Sequence, residues 1–243
     1  MIALMLLGSF VGLLSGFFGI GGGTILIPLL LLLGYETKVA IGISVVQMVF
    51  SSIYGSYLNN KKGTLDIKMV SIIGVGGFAG ALLSGYITTF LSDRSLEMLF
   101  LSFALFALFR MFFKTYEDAK EKELHYSLLL LIGIFLGAFS MTMGVGGSIL
   151  LVPILVGFLH VSFQKAVSSG LLFVVFSSVA GLISHAAQGY VDYKSGIIIG
   201  VTSLLGVYLG IHLKERVSYH LQKRLLVGFY LFIVLYLVSR IFF

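Results

Sequence analysis

Gly19-Ile20-Gly21-Gly22-Gly23-Thr24-Ile25-Leu26-Ile27-Pro28 returns 125 positions later as Gly144-Val145-Gly146-Gly147-Ser148-Ile149-Leu150-Leu151-Val152-Pro153. Beyond this motif the offset becomes 126 and holds. Val49-Phe50-Ser51-Ser52 recurs as Val175-Phe176-Ser177-Ser178, Gly63 as Gly189, Asp66 as Asp192, Lys68 as Lys194 and Gly80 as Gly206. The chain reads as a tandem duplication whose halves each begin with an apolar block interrupted by a glycine cluster. Internal repeats of this kind are common in membrane proteins in which two halves rock around a central site.

Composition sets the solvent. Hydrophobic residues make up 58% of the 243 and charged residues 11%, against about a quarter charged in a soluble domain. Apolar blocks at about 2 to 34, 38 to 58, 67 to 90, 96 to 113, 127 to 159, 164 to 186, 195 to 213 and 222 to 243 are separated by charge and turn residues. Most can cross a hydrocarbon core that needs about 20 helical residues. The stretch from Thr24 to Leu33 cannot, because at about 1.5 Å per residue it covers only about half of a core about 30 Å thick. The first block of each half is therefore expected to be a re-entrant hairpin that turns at its glycines and leaves on the side it came from. Pro28 is expected early in the return helix, where its missing N–H matters least. Met1 to Leu14 carries no preceding Lys or Arg and no cleavage site follows, so it reads as a retained segment.

Charge placement favours the hairpin, because short cytoplasmic loops are rich in Lys and Arg. With returning hairpins, one side receives Lys61, Lys62, Lys68, Arg110, Lys114, Lys120, Lys122, Lys165, Lys214, Arg216, Lys223 and Arg224, the other only Lys38, Arg94, Lys194 and Arg240. With single crossings the split is seven against nine. Ten full crossings give the same sidedness as the hairpins, and only the short return segments speak against them. The expected fold is an all-α polytopic membrane protein of two inverted repeats, each a re-entrant broken-helix hairpin plus three transmembrane helices. Residues 1–113 form the first repeat, 114–126 a cytoplasmic linker and 127–243 the second repeat, with both termini outside the cytoplasm.

The glycine runs fit neither the dinucleotide fingerprint nor a phosphate loop, and no His-Glu-x-x-His or Gly-x-Ser-x-Gly occurs. With Cys 0 there is no thiolate chemistry, and no basic cluster interleaved with aromatics reads nucleic acid. An enzyme, a cofactor and a nucleic-acid partner are not expected; the lipid bilayer is. Broken backbone in lipid must line a cavity or find partners, so Gly21, Gly22, Gly23 and Thr24, with Gly144, Gly146, Gly147 and Ser148, are candidates for a binding site. Half-helix N-termini aimed at the midplane favour an anion. Ser44, Gln47 and Ser51 share a face with Gly55, and Ser169 and Ser177 lie on the corresponding helix of the second half, beside Gly170, Phe173 and Gly181. A single Ser often bonds only to its own preceding turn, whereas the Gln47 amide needs several partners. Such neutral donors suit a small anion that must also be released. His160, His185 and His212 read as structural or solvated, and Asp66, Lys68, Asp192 and Lys194 as interfacial anchors.

The paired motifs, each followed by a Ser-rich helix and then Gly63-x-x-Asp66 or Gly189-x-x-Asp192, resemble the TauE/SafE family, also called the sulfite exporter family, over nearly the whole chain. The resemblance implies alternating-access export of a sulfur-containing oxyanion, sulfite or an organosulfonate, across a bacterial inner membrane. Ser148 stands where the first motif has Gly23, and the cysteines on which related thiosulfate transporters depend are missing. A passive anion channel and a non-transporting scaffold fit the same residues.

Overall fold

The computed structural model describes residues 1–63, 65, 67–111, 125–157 and 159–242, so all of the expected linker except its last two residues lies outside them. The described secondary structure consists of α-helices: α1 (Ile2–Phe18), α2 (Gly23–Leu32), α3 (Thr37–Lys61), α4 (Ile67–Ala81), α5 (Ser84–Phe90) and α6 (Asp93–Met111), then α7 (Tyr126–Thr142), α8 (Ser148–Gly157), α9 (Phe163–Ala187), α10 (Tyr193–Arg216) and α11 (Tyr219–Phe242). Tyr126, assigned above to the linker, opens α7 behind a His125 cap. Five helical stretches are long and apolar enough to cross a membrane: α3, α4 with α5, α9, α10 and α11. Large apolar side chains such as Phe10, Phe90, Phe135, Leu205 and Leu235 are exposed, while Ser44, Gln47, Ser51 and Ser177 are fully buried. Lipid explains both halves of that pattern.

Helices of one half pack on the other half's helices through glycine. Gly8, Gly12 and Gly16 of α1 lie against Ile199, Ser203 and Val207 of α10, and Gly206 and Gly210 answer against Ser9 and Leu13. The same contact recurs at the repeat offset between α7 and α4, where Gly133 and Gly137 meet Ile73 and Gly77 while Gly76 and Gly80 meet Leu130 and Ile134. Rising numbers on both sides make each pair parallel. Without a hydrophobic force between helices in lipid, such close backbone approach is what holds them.

α3 and α9 cross the centre in opposite senses: Gly42 lies at Tyr190, and Gly55 at Leu171. α10 runs parallel to α3, with Gly196 on Val46 and Gly200 on Phe50. α2 runs against α3, its Gly22 at Gln47, its Gly23 at Ser44, and its Leu31 lining one cavity with Thr37. Hence α1 and α2 run in opposite senses, as a hairpin requires. Pro28 is the sixth of ten residues in α2, and Pro153 holds the same place in α8. The expectation of an early proline is corrected: α2 begins within the glycine cluster, and Pro28 leaves the Thr24 carbonyl without its helical donor.

The halves also differ. α10 is continuous, but its counterpart breaks between α4 and α5, where the Ser184 hydroxyl of α9 donates to the Leu82 carbonyl at 2.7 Å and accepts from the Gly85 N–H at 2.9 Å. A side chain inserted into the helical ladder is a sufficient cause of a break. The repeat puts Leu58 where Ser184 stands, so α10 has no such wedge.

Gly12→Leu drives a side chain into the Ser203 backbone, while Gly228 has open space around it. Gly12→Leu is expected to destabilise the detergent-solubilised protein by at least about 1–3 kcal/mol and Gly228→Leu to leave it unchanged, read by thermal unfolding.

Candidate functional site

Each break is made by glycines in the left-handed region, Gly19 and Gly21 at φ 68° and 67°, and Gly144 and Gly146 at φ 65° and 85°. There a Cβ is strained, which is why the motif is written in glycine. The two breaks lie beside the middles of α3 and α9 and meet there. Met48 and Val174, equivalent at the 126 offset, both stand against both Gly21 and Gly146. Equivalent residues of the two halves thus stand together at the meeting point of the breaks.

The residues singled out in the sequence converge here, with differences in role. Ser44 donates to the Gly144 carbonyl at 2.8 Å and stands beside Gly23, so α3 is tied to the loop of the other half. Ser177 donates to the Gly146 carbonyl at 3.3 Å and to Phe173 in its own helix at 3.2 Å. Ser51 bonds only to the Met48 carbonyl one turn back. Ser148 opens α8 and packs on Gly170 of α9, next to Ser169. The Gln47 amide lies on Gly22. Thr24, Gln47, Ser148 and Ser169 are fully buried, and none of their side-chain polar atoms has a hydrogen-bond partner. A buried donor or acceptor left unsatisfied costs about 1–3 kcal/mol, and these four residues, one amide and three hydroxyls, flank the two glycine tips and the helices packed on them as a polar centre that packing alone does not require.

The two tips are not copies. Gly22 is right-handed at φ −66° and caps α2, whereas Gly147 is left-handed at φ 78°. Phe173 occupies the place of Gln47, and its ring faces Gly147 together with Ser140. The first tip therefore presents an amide and the second an aromatic ring and a hydroxyl. Among the described residues, no charged side chain is among the nearest neighbours of Gly19, Gly21, Gly22, Gly23, Gly144, Gly146 or Gly147. Among the described residues no hydrogen bond is made by the N–H groups of Gly22, Gly23 and Thr24, and α2 has no side-chain cap. That end of α2 keeps its positive character.

Sequence reasoning missed Met48 and Val174, which read as ordinary core, and the buried unpartnered hydroxyls of Ser15, Ser52 and Ser56. Their 126 offset was the signal for the first two. Ser52 and Ser56 sit four apart on α3, a spacing that marks one face.

A helical membrane bundle with two broken helices meeting at a buried polar centre defines a membrane transporter. The chain matches the family model described as sulfite exporter TauE/SafE over residues 4–237, and it belongs to that family. It is 32% identical over 207 residues to the probable membrane transporter protein YdhB of Bacillus subtilis, covering 82% of this chain and 84% of that protein. A second B. subtilis relative, the probable membrane transporter protein YunE, is 23% identical over 247 residues, covering 89% of each. A probable membrane transporter protein of Methanocaldococcus jannaschii is 25% identical over 232 residues, covering 88% of this chain and 86% of that protein. No solved structure matches the chain.

Gln47→Leu replaces an orphaned amide with an apolar side chain of similar size. It is expected to stabilise the ligand-free protein by about 1–2 kcal/mol, measured by thermal unfolding in detergent; a loss of stability would mean that the amide is partnered.

Proposed function

We propose that this protein exports a small sulfur-containing oxyanion, sulfite or an organosulfonate, by alternating access of two inverted repeats, 1–113 and 127–243, joined by a cytoplasmic linker, 114–126. The observation that carries the reading is the Gln47 amide, fully buried, unpartnered and set on Gly22 at the uncapped start of α2. In use, Gly21, Gly22, Gly23 and Thr24 with Gly144, Gly146, Gly147 and Ser148 supply backbone and hydroxyl donors, while Ser44, Gln47, Ser51, Ser169 and Ser177 line the path. No catalytic residue or cofactor is invoked. The antiparallel crossing of α3 and α9, equivalent in the repeats, supports the inversion. Lys38, reaching Thr89 and Tyr190, and Arg240, reaching Glu97 and Leu31, gather at the end where α3 begins. Lys68, over the Tyr126 ring, lies at the opposite end. These ends agree with the charge partition read from the sequence, and on that partition both termini are proposed to lie outside an inner membrane.

Two half-helix N-termini, each equivalent to about half an elementary charge, roughly offset one negative charge. A second charge would stay uncompensated in low dielectric, at several kcal/mol. The site therefore prefers monoanions, and a proton can travel on the substrate. In titrations of the purified protein, sulfite affinity should fall as pH rises through the solute's own titration, while affinity for a permanently monoanionic sulfonate stays flat. Equal or tighter binding of the dianion would mean that a cationic side chain reaches the site. A passive channel is distinguished in proteoliposomes by sulfite flux that ignores a proton gradient.

Sidedness has its own measurement in this naturally Cys-free chain. Lys120→Cys should resist membrane-impermeant thiol reagents in intact cells and react once the membrane is opened. Labelling from outside would overturn the hairpin arrangement.

A further inference from the structure

Glu97, in the second turn of α6, is buried, yet its carboxylate is held by two donors from other helices. The Thr37 hydroxyl at the start of α3 donates at 2.9 Å, and Arg240 Nε near the end of α11 donates at 3.0 Å. Arg240 also reaches the Leu31 carbonyl near the end of α2 at 3.5 Å. Four helices are pinned at one point.

Behind that point lies a cavity lined by Ile27, Leu31, Thr37, Ile41, Glu97 and Met143. Met143, which lines it, immediately precedes Gly144, so the second glycine loop begins just past the cavity wall. Apart from Thr37 and Glu97 these walls are apolar. Glu97 is buried but the Arg240 side chain is 35% exposed, and a partly solvated ion pair contributes little net stability. Packing alone does not call for one here.

The duplication sharpens the point. At the 126 offset Glu97 corresponds to Lys223, Arg240 to Lys114 and Thr37 to Phe163. The pair therefore belongs to one end of the molecule only, the end where Lys38 and Tyr35 also lie, Tyr35 within 3.5 Å of Ser195. A contact confined to one end of a duplicated bundle serves that face rather than the fold.

We propose that the Glu97–Arg240 pair, steadied by Thr37, is the outer gate of the path and a transient anion-binding station. A small oxyanion leaving the glycine loops displaces Glu97 from the Arg240 guanidinium. The inference rests on the transport reading of those loops. A guanidinium matches an oxyanion in the same fork geometry as a carboxylate, so the exchange keeps Arg240 paired throughout. Glu97 stays on Thr37, α11 is released from α6 and α2, and the cavity opens outward. When the anion departs, the pair re-forms and closes the path. No bond other than hydrogen bonds and ion pairs changes.

The test uses Glu97→Cys with Arg240→Cys in the full-length chain, reconstituted in proteoliposomes and bridged by a bifunctional methanethiosulfonate. Bridging should cut sulfite flux at least about tenfold, reduction should restore it, and the sulfite-induced rise in melting temperature should persist in the bridged protein. Unchanged flux after bridging, in a protein that transports, overturns the gate and leaves the transport reading standing. A parent chain with neither sulfite binding nor flux overturns both. Single variants give a second reading: Arg240→Gln should raise the KM for sulfite presented on the outer face about fivefold, and Glu97→Gln should lower it severalfold, with smaller changes in kcat. If neither variant moves KM, Arg240 is not an anion station.

Discussion

In a bilayer every backbone N–H and C=O must find a partner within the protein, and the rest of this structure follows from breaking that rule at two places. A helix interrupted at membrane depth frees groups that cost several kcal/mol each in hydrocarbon. Freed carbonyls of the second break are accordingly taken up by hydroxyls: Ser44 of α3 donates to Gly144 from the other half, and Ser177 of α9 donates to Gly146 from its own, while Gly170 of α9 packs closely on the Gly19 carbonyl. What is left unsatisfied includes side-chain groups on Thr24, Gln47, Ser148 and Ser169 beside the two helix starts, together with the hydroxyls of Ser15, Ser52 and Ser56.

Much of this was legible in the residues. The repeat, the breaks at the glycine clusters and the short return helices follow from spacing and length, because a run of ten apolar residues cannot cross lipid wherever it is placed. The stripe of Ser44, Gln47 and Ser51 was visible because helical periodicity puts it on one face. What each of those side chains touches was not. That Ser44 bridges to the opposite half while Ser51 bonds within its own helix depends on how α3 crosses the second loop, which no local pattern encodes. The place of Pro28 was misjudged because a helix can start inside a glycine run when neighbouring helices shield it. Met48 and Val174 carried no chemical signal, being apolar residues among apolar residues.

Duplication supplies the frame, and substitutions within it supply direction. Gln47 against Phe173, right-handed Gly22 against left-handed Gly147, and Glu97 against Lys223 each make the two halves unequal. Here the amide stands at one tip and the ion pair at one end of the bundle. Polarity in this bundle therefore arises from a few side chains rather than from the backbone.

The parallel glycine pairs, α1 on α10 and α7 on α4, have a bearing on how such a chain folds. Each joins the opening helix of one half to a helix of the other, so neither half buries its own glycine faces. Gly12 waits for Ser203 during synthesis, with most of the chain made in between. A lone half offers the same two faces unmatched, so neither half can complete its helix packing until the other has been made.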